Sequence, residues 1–219
     1  VTSIAISPNN VTLAASTENG MIILYDLSKN EAIISKSVHS DAINQIVWSN
    51  NGNYLISCSN ENNIKLLNPE NLEEINEYQK YDCPILCCHI TPSCELIVGG
   101  DDEGRILLWP TSSPDQCAFD DAHTDSITSI HFLSSLFILT SSIDGVVRIF
   151  STEKLILLKS YSESILVSNA CFSPDLRYIT FSHLESITYI VEAKTGQYVG
   201  EFKGYINNQY LINPCFLYD

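Results

Sequence analysis

Short stretches in which apolar and polar residues alternate run the length of the chain, and Asn, Asp, Gly, Ser and Pro interrupt them every few residues. In "SIDGVVRIF" (142–150) an apolar run ends, an Asp-Gly pair turns the chain, and alternation resumes up to an aromatic. Period-two alternation between turn signals predicts β-strands. Helical spacing is nearly absent, so the predicted fold class is all-β.

The pattern repeats. An acidic or amide residue stands six positions before a large apolar residue in "NGMIILY" (from Asn19), "ENNIKLL" (from Glu61), "EGRILLW" (from Glu103), "DGVVRIF" (from Asp144) and "ESITYIV" (from Glu185), at steps of 42, 42, 41 and 41 residues. Upstream of each lies a second marker, an apolar stretch closing at a Ser, Thr or Pro turn: "SIAISPNN", "QIVWSNNG", "CCHITPSC", "SIHFLSSL" and "NACFSPDL". Within residues 123–164, three strand-like runs precede a fourth, "KLILLKSY". Four short antiparallel strands at this period predict a β-propeller blade, which must stack on neighbours because alone it cannot bury both its faces.

The predicted organisation is one propeller domain over 1–219, with blades near 1–37, 38–80, 81–122, 123–164 and 165–203 and a partial blade at 204–219. A seven-bladed ring at this period needs roughly 290 residues, so five blades and the start of a sixth are expected. Because Val1 comes first, with no Met and no leader-like segment, the expectation is a longer native polypeptide or strand edges covered by a partner.

Composition narrows the function. At 45% hydrophobic the chain has the means for a large core, yet no uncharged apolar run nears the roughly 20 residues of a membrane helix. No membrane association is expected. A net charge of −15 with only three arginines, Arg105, Arg148 and Arg177, opposes direct nucleic-acid or anionic-lipid contact and suits a basic partner. The eight cysteines lack the paired spacing of a zinc site, so reduced thiols and neither metal nor cofactor are expected. The acids Asp101, Asp102, Glu103, Asp120 and Asp121 read as turn residues on a solvated face rather than a metal site.

The repeat resembles the WD-repeat family. The nearest counterparts of its Trp-Asp strand ending are "LYD" (24–26) and "LWP" (108–110), and the histidine that fastens each blade toward the turn acid stands at His39 in "VHSDAI" and His123 in "AHTDSI". His123, Ser141 or Ser142, and Asp144 imitate a hydrolase triad. They coincide with that fastening network, so an enzyme is not expected and a propeller hydrolase ranks last among the readings.

Longer segments resemble the WD-repeat subunit of COMPASS-type and mixed-lineage-leukaemia-type histone methyltransferase complexes: "PILCCHITPSCELIVGG", "AHTDSITSIHF" with "SSIDGVVRIF", "VSNACFSPDLRYI" and "TGQYVGEFKGYINNQYLINPCF". That resemblance implies a nuclear, non-enzymatic scaffold that docks protein subunits, with the cytoplasm as the alternative location. It implies a central pocket for an arginine-bearing peptide, such as a histone tail, at Asn44, Asn60, Leu86, Cys87, Thr128, Ile143, Ser168, Tyr210 and Asn213. A second, partner-binding surface falls on Tyr178, Ile190 and Phe216. The two clamping aromatics of the family's pocket fall on Leu86 and Asn213, which offer no π-face, so the cation–π clamp is expected to be missing. A scaffold of another assembly, a splicing particle or a ubiquitin ligase adaptor, is the alternative.

Overall fold

The computed structural model describes residues 1–162, 166–183 and 186–204. Every regular element among them is a strand. Blade 1 is β1 (Ser3–Ile6), β2 (Thr12–Ser16), β3 (Met21–Asp26) and β4 (Glu31–Ser37); blade 2 is β5 (Ile43–Trp48), β6 (Leu55–Ser59), β7 (Asn63–Leu67) and β8 (Glu74–Gln79). Blade 3 is β9 (Ile85–Ile90), β10 (Leu96–Asp101), β11 (Arg105–Pro110) and β12 (Ala118–Asp121). Blade 4 is β13 (Ile127–Ser134), β14 (Phe137–Ser142), β15 (Val146–Ser151) and β16 (Leu157–Ser162), and blade 5 is β17 (Val167–Phe172), β18 (Tyr178–His183), β19 (Ile187–Glu192) and β20 (Tyr198–Lys203). Each group forms one antiparallel sheet in sequence order, the meander of a propeller blade.

The first strand of every sheet is innermost, and β1, β5, β9, β13 and β17 follow one another around a channel. Four apolar cores fill the joints between the five blades. Ile22 and Leu24 meet Ile43 and Leu55 between blades 1 and 2, and Ile64 and Tyr78 meet Ile85 and Trp109 between blades 2 and 3. Val98 and Ile106 meet Ile127 and Phe150 between blades 3 and 4, and Leu139 and Val147 meet Ile179 and Phe181 between blades 4 and 5. Each such aliphatic side chain contributes about 1.5–3 kcal/mol by leaving water, which is why the alternating pattern is bound to this stacking.

The repeat marker has a packing cause. Gly20 (φ +75) and Gly104 (φ +84) sit where an added Cβ would strike the carbonyls of His39 and His123 at 2.0 and 2.5 Å. Only glycine tolerates both the left-handed backbone and that approach. The approach holds the next blade's loop, since His39 and His123 N–H groups donate to the Gly20 and Gly104 carbonyls.

One element differs from expectation. The run "KLILLKSY" is not all strand: Leu155 adopts φ 51 and is buried, and β16 begins only at Leu157. Leu72 (φ 55) occupies the equivalent turn of blade 2 in the same way.

Candidate functional site

Four of the five inner strands carry a β-bulge near their start. Pairing slips between Ile43 and Gln45, between Ile85 and Cys87, between Ile127 and Ser129, and between Val167 and Asn169. The extra residues are Asn44, Leu86, Thr128 and Ser168, all four from the sequence-predicted pocket. A bulge re-aims a side chain out of the sheet's alternation, here at one end of the channel. A cavity of about 520 Å³ opens there, lined by Ser3, Ile4, Asn44, Gln45, Leu86, Cys87, Thr128, Ser129 and Asn169 among others.

Much of the polarity at this mouth is spent on joining blades. The Asn44 side-chain amide donates to the Ile85 carbonyl (2.9 Å) and to Asn60 Oδ1 (2.9 Å). The Thr128 hydroxyl donates to the Val167 carbonyl (3.0 Å). Leu86 has no donor for the corresponding carbonyl of Ile127, and the Cys87 thiol, 3.6 Å away, stands in weakly. Burial pushes that thiol's pKa well up, so it stays protonated. One position on, Gln45 Oε1 accepts the Cys88 N–H (2.9 Å) and Ser129 Oγ accepts the Ala170 N–H (3.0 Å), while Ser3 Oγ accepts the Ile46 N–H (3.3 Å).

The structure therefore brings Asn44, Leu86, Cys87 and Thr128 to one opening, with Asn60 hydrogen-bonded to Asn44. Ser168 is fully buried and donates to the Ser182 carbonyl of its own blade. Ile143 lies in the β14–β15 turn, its N–H on the Ser126 carbonyl; neither it nor Ser168 is among the described residues lining the cavity. Tyr210, Asn213 and Phe216 lie outside the described residues. No aromatic ring lines the mouth among those described. Gln45 and Ser129 were not anticipated; their signal is a polar residue directly after the bulge position at the repeat spacing.

Tyr178 and Ile190 share one face of blade 5. Tyr178 opposes Glu192, and Ile190 opposes Thr180, so both point away from Ile179 and Phe181, which pack on blade 4. Each is half-buried.

The fastening histidines are buried inside blade joints. His39 Nδ1 donates to Glu61 (2.8 Å) and its Nε2 accepts from the Ser57 hydroxyl (2.8 Å). His123 Nδ1 donates to Asp144 (3.0 Å) and its Nε2 accepts from Thr140 Oγ1 (2.8 Å). Thr140, rather than Ser141 or Ser142, is the hydroxyl partner: Ser141 lies on the opposite face of β14 against Ser129, and Ser142, on the same face as Thr140, donates its hydroxyl to the Asp125 carbonyl. Burial lowers both imidazole pKa values, that of His123 to about 4, so both rings are neutral at pH 7. A nucleophile–base–acid set enclosed this way offers no room for a substrate.

Blade 3 departs from this scheme, because Tyr81 and Gly99 stand where the histidine and hydroxyl would be. In their place the buried Asp101 carboxylate accepts Arg105 Nε (2.6 Å), and the guanidinium lies over the Tyr81 ring, 4.1 Å from its centroid. Trp109 keeps its place in this blade, but its buried indole N–H has no partner. Of the acids read as turn residues on a solvated face, Asp102, Glu103 and Asp121 are exposed, whereas Asp101 is buried and ion-paired, and Asp120 and Asp121 belong to β12 rather than a turn.

At the other end of the channel, a cavity of about 560 Å³ is lined by Gln45, Trp48, His89 and His131 among others. The two imidazoles meet edge to face, 5.4 Å between centroids. Burial lowers their pKa values to about 3 for His89, where His131 adds to the effect, and about 4 for His131.

Comparison with known proteins agrees with this architecture. Residues 1–82 match the family model "Nucleolar protein 10-like, N-terminal domain", and residues 115–151 match "WD domain, G-beta repeat". WD repeat-containing protein GTS1 of Arabidopsis thaliana is 24% identical, over 70% of this chain and 41% of its own length. Periodic tryptophan protein 2 homolog of Caenorhabditis elegans is 26% identical, over 62% of this chain and 15% of its own. WD repeat domain-containing protein 83 homolog of Dictyostelium discoideum is 21% identical, over 97% of this chain and 74% of its own. The chain thus spans less than half the length of the first two. The five four-stranded sheets, the repeat period and these matches define a WD-repeat β-propeller. Proteins of this class generally act as interaction scaffolds that bind other proteins.

Proposed function

We propose that this chain is a non-catalytic docking platform of a multi-subunit assembly, and that its bulged channel mouth receives an extended segment of a partner protein. The observation that carries the reading is the register of Asn44, Leu86 and Thr128, three successive bulge residues converging on one opening of about 520 Å³. Asn44 Oδ1, Asn169 and the strand-start backbone supply hydrogen-bonding groups there, and Leu86 supplies an apolar contact. A basic segment suits the chain's net charge of −15.

Two assemblies fit. The segment resemblance supports a histone lysine methyltransferase complex, with Tyr178, Ile190 and Phe216 as the surface for a second subunit. The match of residues 1–82 to a nucleolar protein's domain, together with a relative named as eukaryotic translation initiation factor 3 subunit I, supports a nucleolar or translation-related assembly. Purification of the tagged full-length protein from its own cells, with stoichiometric subunits identified, tests the reading. Methyltransferase subunits support the first form and nucleolar or initiation-factor subunits the second. A free monomer contradicts both.

A further inference from the structure

The end of the channel away from the bulges is chemically divided. Residues 5, 47, 89 and 131, spaced 42 apart, occupy equivalent points of β1, β5, β9 and β13, and all four line the cavity of about 560 Å³ there. Blades 1 and 2 supply Ala5 and Val47, whereas blades 3 and 4 supply His89 and His131. Ile6 and Trp48 enlarge the apolar part, and the Trp48 indole N–H is spent on the Ala5 carbonyl (3.2 Å).

The polar part offers donors. Gln45 Oε1 already accepts the Cys88 N–H (2.9 Å), so the group it has left for a ligand is its NH2. The Phe132 N–H lies 3.5 Å from His89 Nδ1, which makes Nδ1 the acceptor and leaves the ring proton on Nε2. His131 makes no hydrogen bond to a described residue, and its nitrogens are not sealed from solvent. In either tautomer it presents one N–H. Polar groups at the mouth are largely consumed in joining blades, whereas these three keep a donor each. No charged side chain lines the cavity among the described residues, and both imidazoles are neutral at pH 7. A carboxylate would therefore enter without a counter-ion, on a chain of net charge −15.

We infer that this end of the channel is a binding site for a small apolar molecule that carries a neutral carbonyl group. The apolar body lies against Ala5, Val47 and Trp48, and the carbonyl oxygen accepts from His131, with His89 Nε2 and the Gln45 amide as further donors. This site goes beyond the docking mouth and stands without it.

The test titrates the full-length polypeptide with acetylnaphthalene, with ethylnaphthalene, which lacks the carbonyl, and with naphthoate, which is an anion. Tryptophan emission reports on Trp48 in the cavity wall, and the ring-nitrogen shifts of the histidines locate the ligand. The ketone binds, moves the His131 signals, and binds at least roughly fivefold more tightly than either analogue at neutral pH. His131→Phe keeps a ring but removes the donor, and it brings the ketone down to the affinity of ethylnaphthalene. Gln45→Glu keeps the acceptor for the Cys88 N–H and replaces the donor, so it also weakens the ketone. Asn44→Ala at the mouth leaves ketone binding unchanged. Thermal unfolding shows whether each variant is folded, and either folded variant suffices to decide. Equal affinity for ketone and hydrocarbon, tighter binding of naphthoate, no binding, or histidine shifts that answer to zinc and not to the ketone overturns the inference.

Discussion

Asn44 donates its side-chain amide to the backbone carbonyl of Ile85, 2.9 Å away in the next blade. Inner strands of neighbouring blades do not share a hydrogen-bond ladder, so such side-chain latches hold the channel wall in register. Thr128 makes the same latch to Val167. Asn44→Ala is expected to cost about 1–2 kcal/mol, the cost of an unmade buried bond. Thr128→Val is expected to cost the same. Urea midpoints check both, and an unchanged midpoint in each variant would mean the latches are incidental.

Asp101 and Arg105 give a sharper test. The carboxylate is fully buried and the guanidinium nearly so. Arg105→Ala leaves that charge without a counter-ion and is expected to destabilise the chain by about 3–5 kcal/mol. Glu103 also touches Arg105, but its side chain is mostly exposed, and Glu103→Gln is expected to shift stability by less than about 1 kcal/mol. Thermal unfolding of the two variants separates the buried pair from the exposed one.

Stability should fall in mild acid. His123 and His131 have native pKa values near 4 and His89 near 3, all below the ordinary 6.5. The unfolded chain therefore binds more protons than the native chain between these values. The contribution of the neutral rings is whole above about pH 6.5 and is lost as pH falls toward 4. Asp144, whose pKa is held down chiefly by the Arg148 hydrogen bond against the effect of its burial, adds a further loss at still lower pH. Denaturation midpoints across pH 7.5 to 4 should decline, and His131→Gln should flatten the decline. A pH-independent midpoint would contradict the assignment of neutral imidazoles.

The blade architecture was legible in the sequence because burial on both faces of a blade forces alternation, and because the turn after each marker residue needs a left-handed backbone, which Gly20 and Gly104 supply, and Asn62 and Ser186 adopt in blades 2 and 5. The fastening role of His39 and His123 was legible from the WD-repeat resemblance together with their register. Thr140 was missed in favour of its serine neighbours, since the sequence marks neither that Ser141 faces the other side of β14 nor that the Ser142 hydroxyl is taken by the Asp125 carbonyl. Blade 3's Asp101–Arg105–Tyr81 arrangement was hidden because it replaces the histidine scheme with a different chemistry. The bulges were invisible too: one extra residue in a strand leaves composition and period almost unchanged, yet it decides that Asn44, Leu86 and Thr128 point into the channel.

The most direct test of the channel account is a titration of the full-length protein with an arginine-containing histone-tail peptide and its alanine-substituted control. A two-ring clamp would make binding depend on the arginine by about 1–4 kcal/mol. Leu86 lies at the mouth and no ring lines it among the described residues, so the two peptides are expected to bind within about fivefold of each other. Tight binding lost on removing the arginine would contradict this account of the mouth.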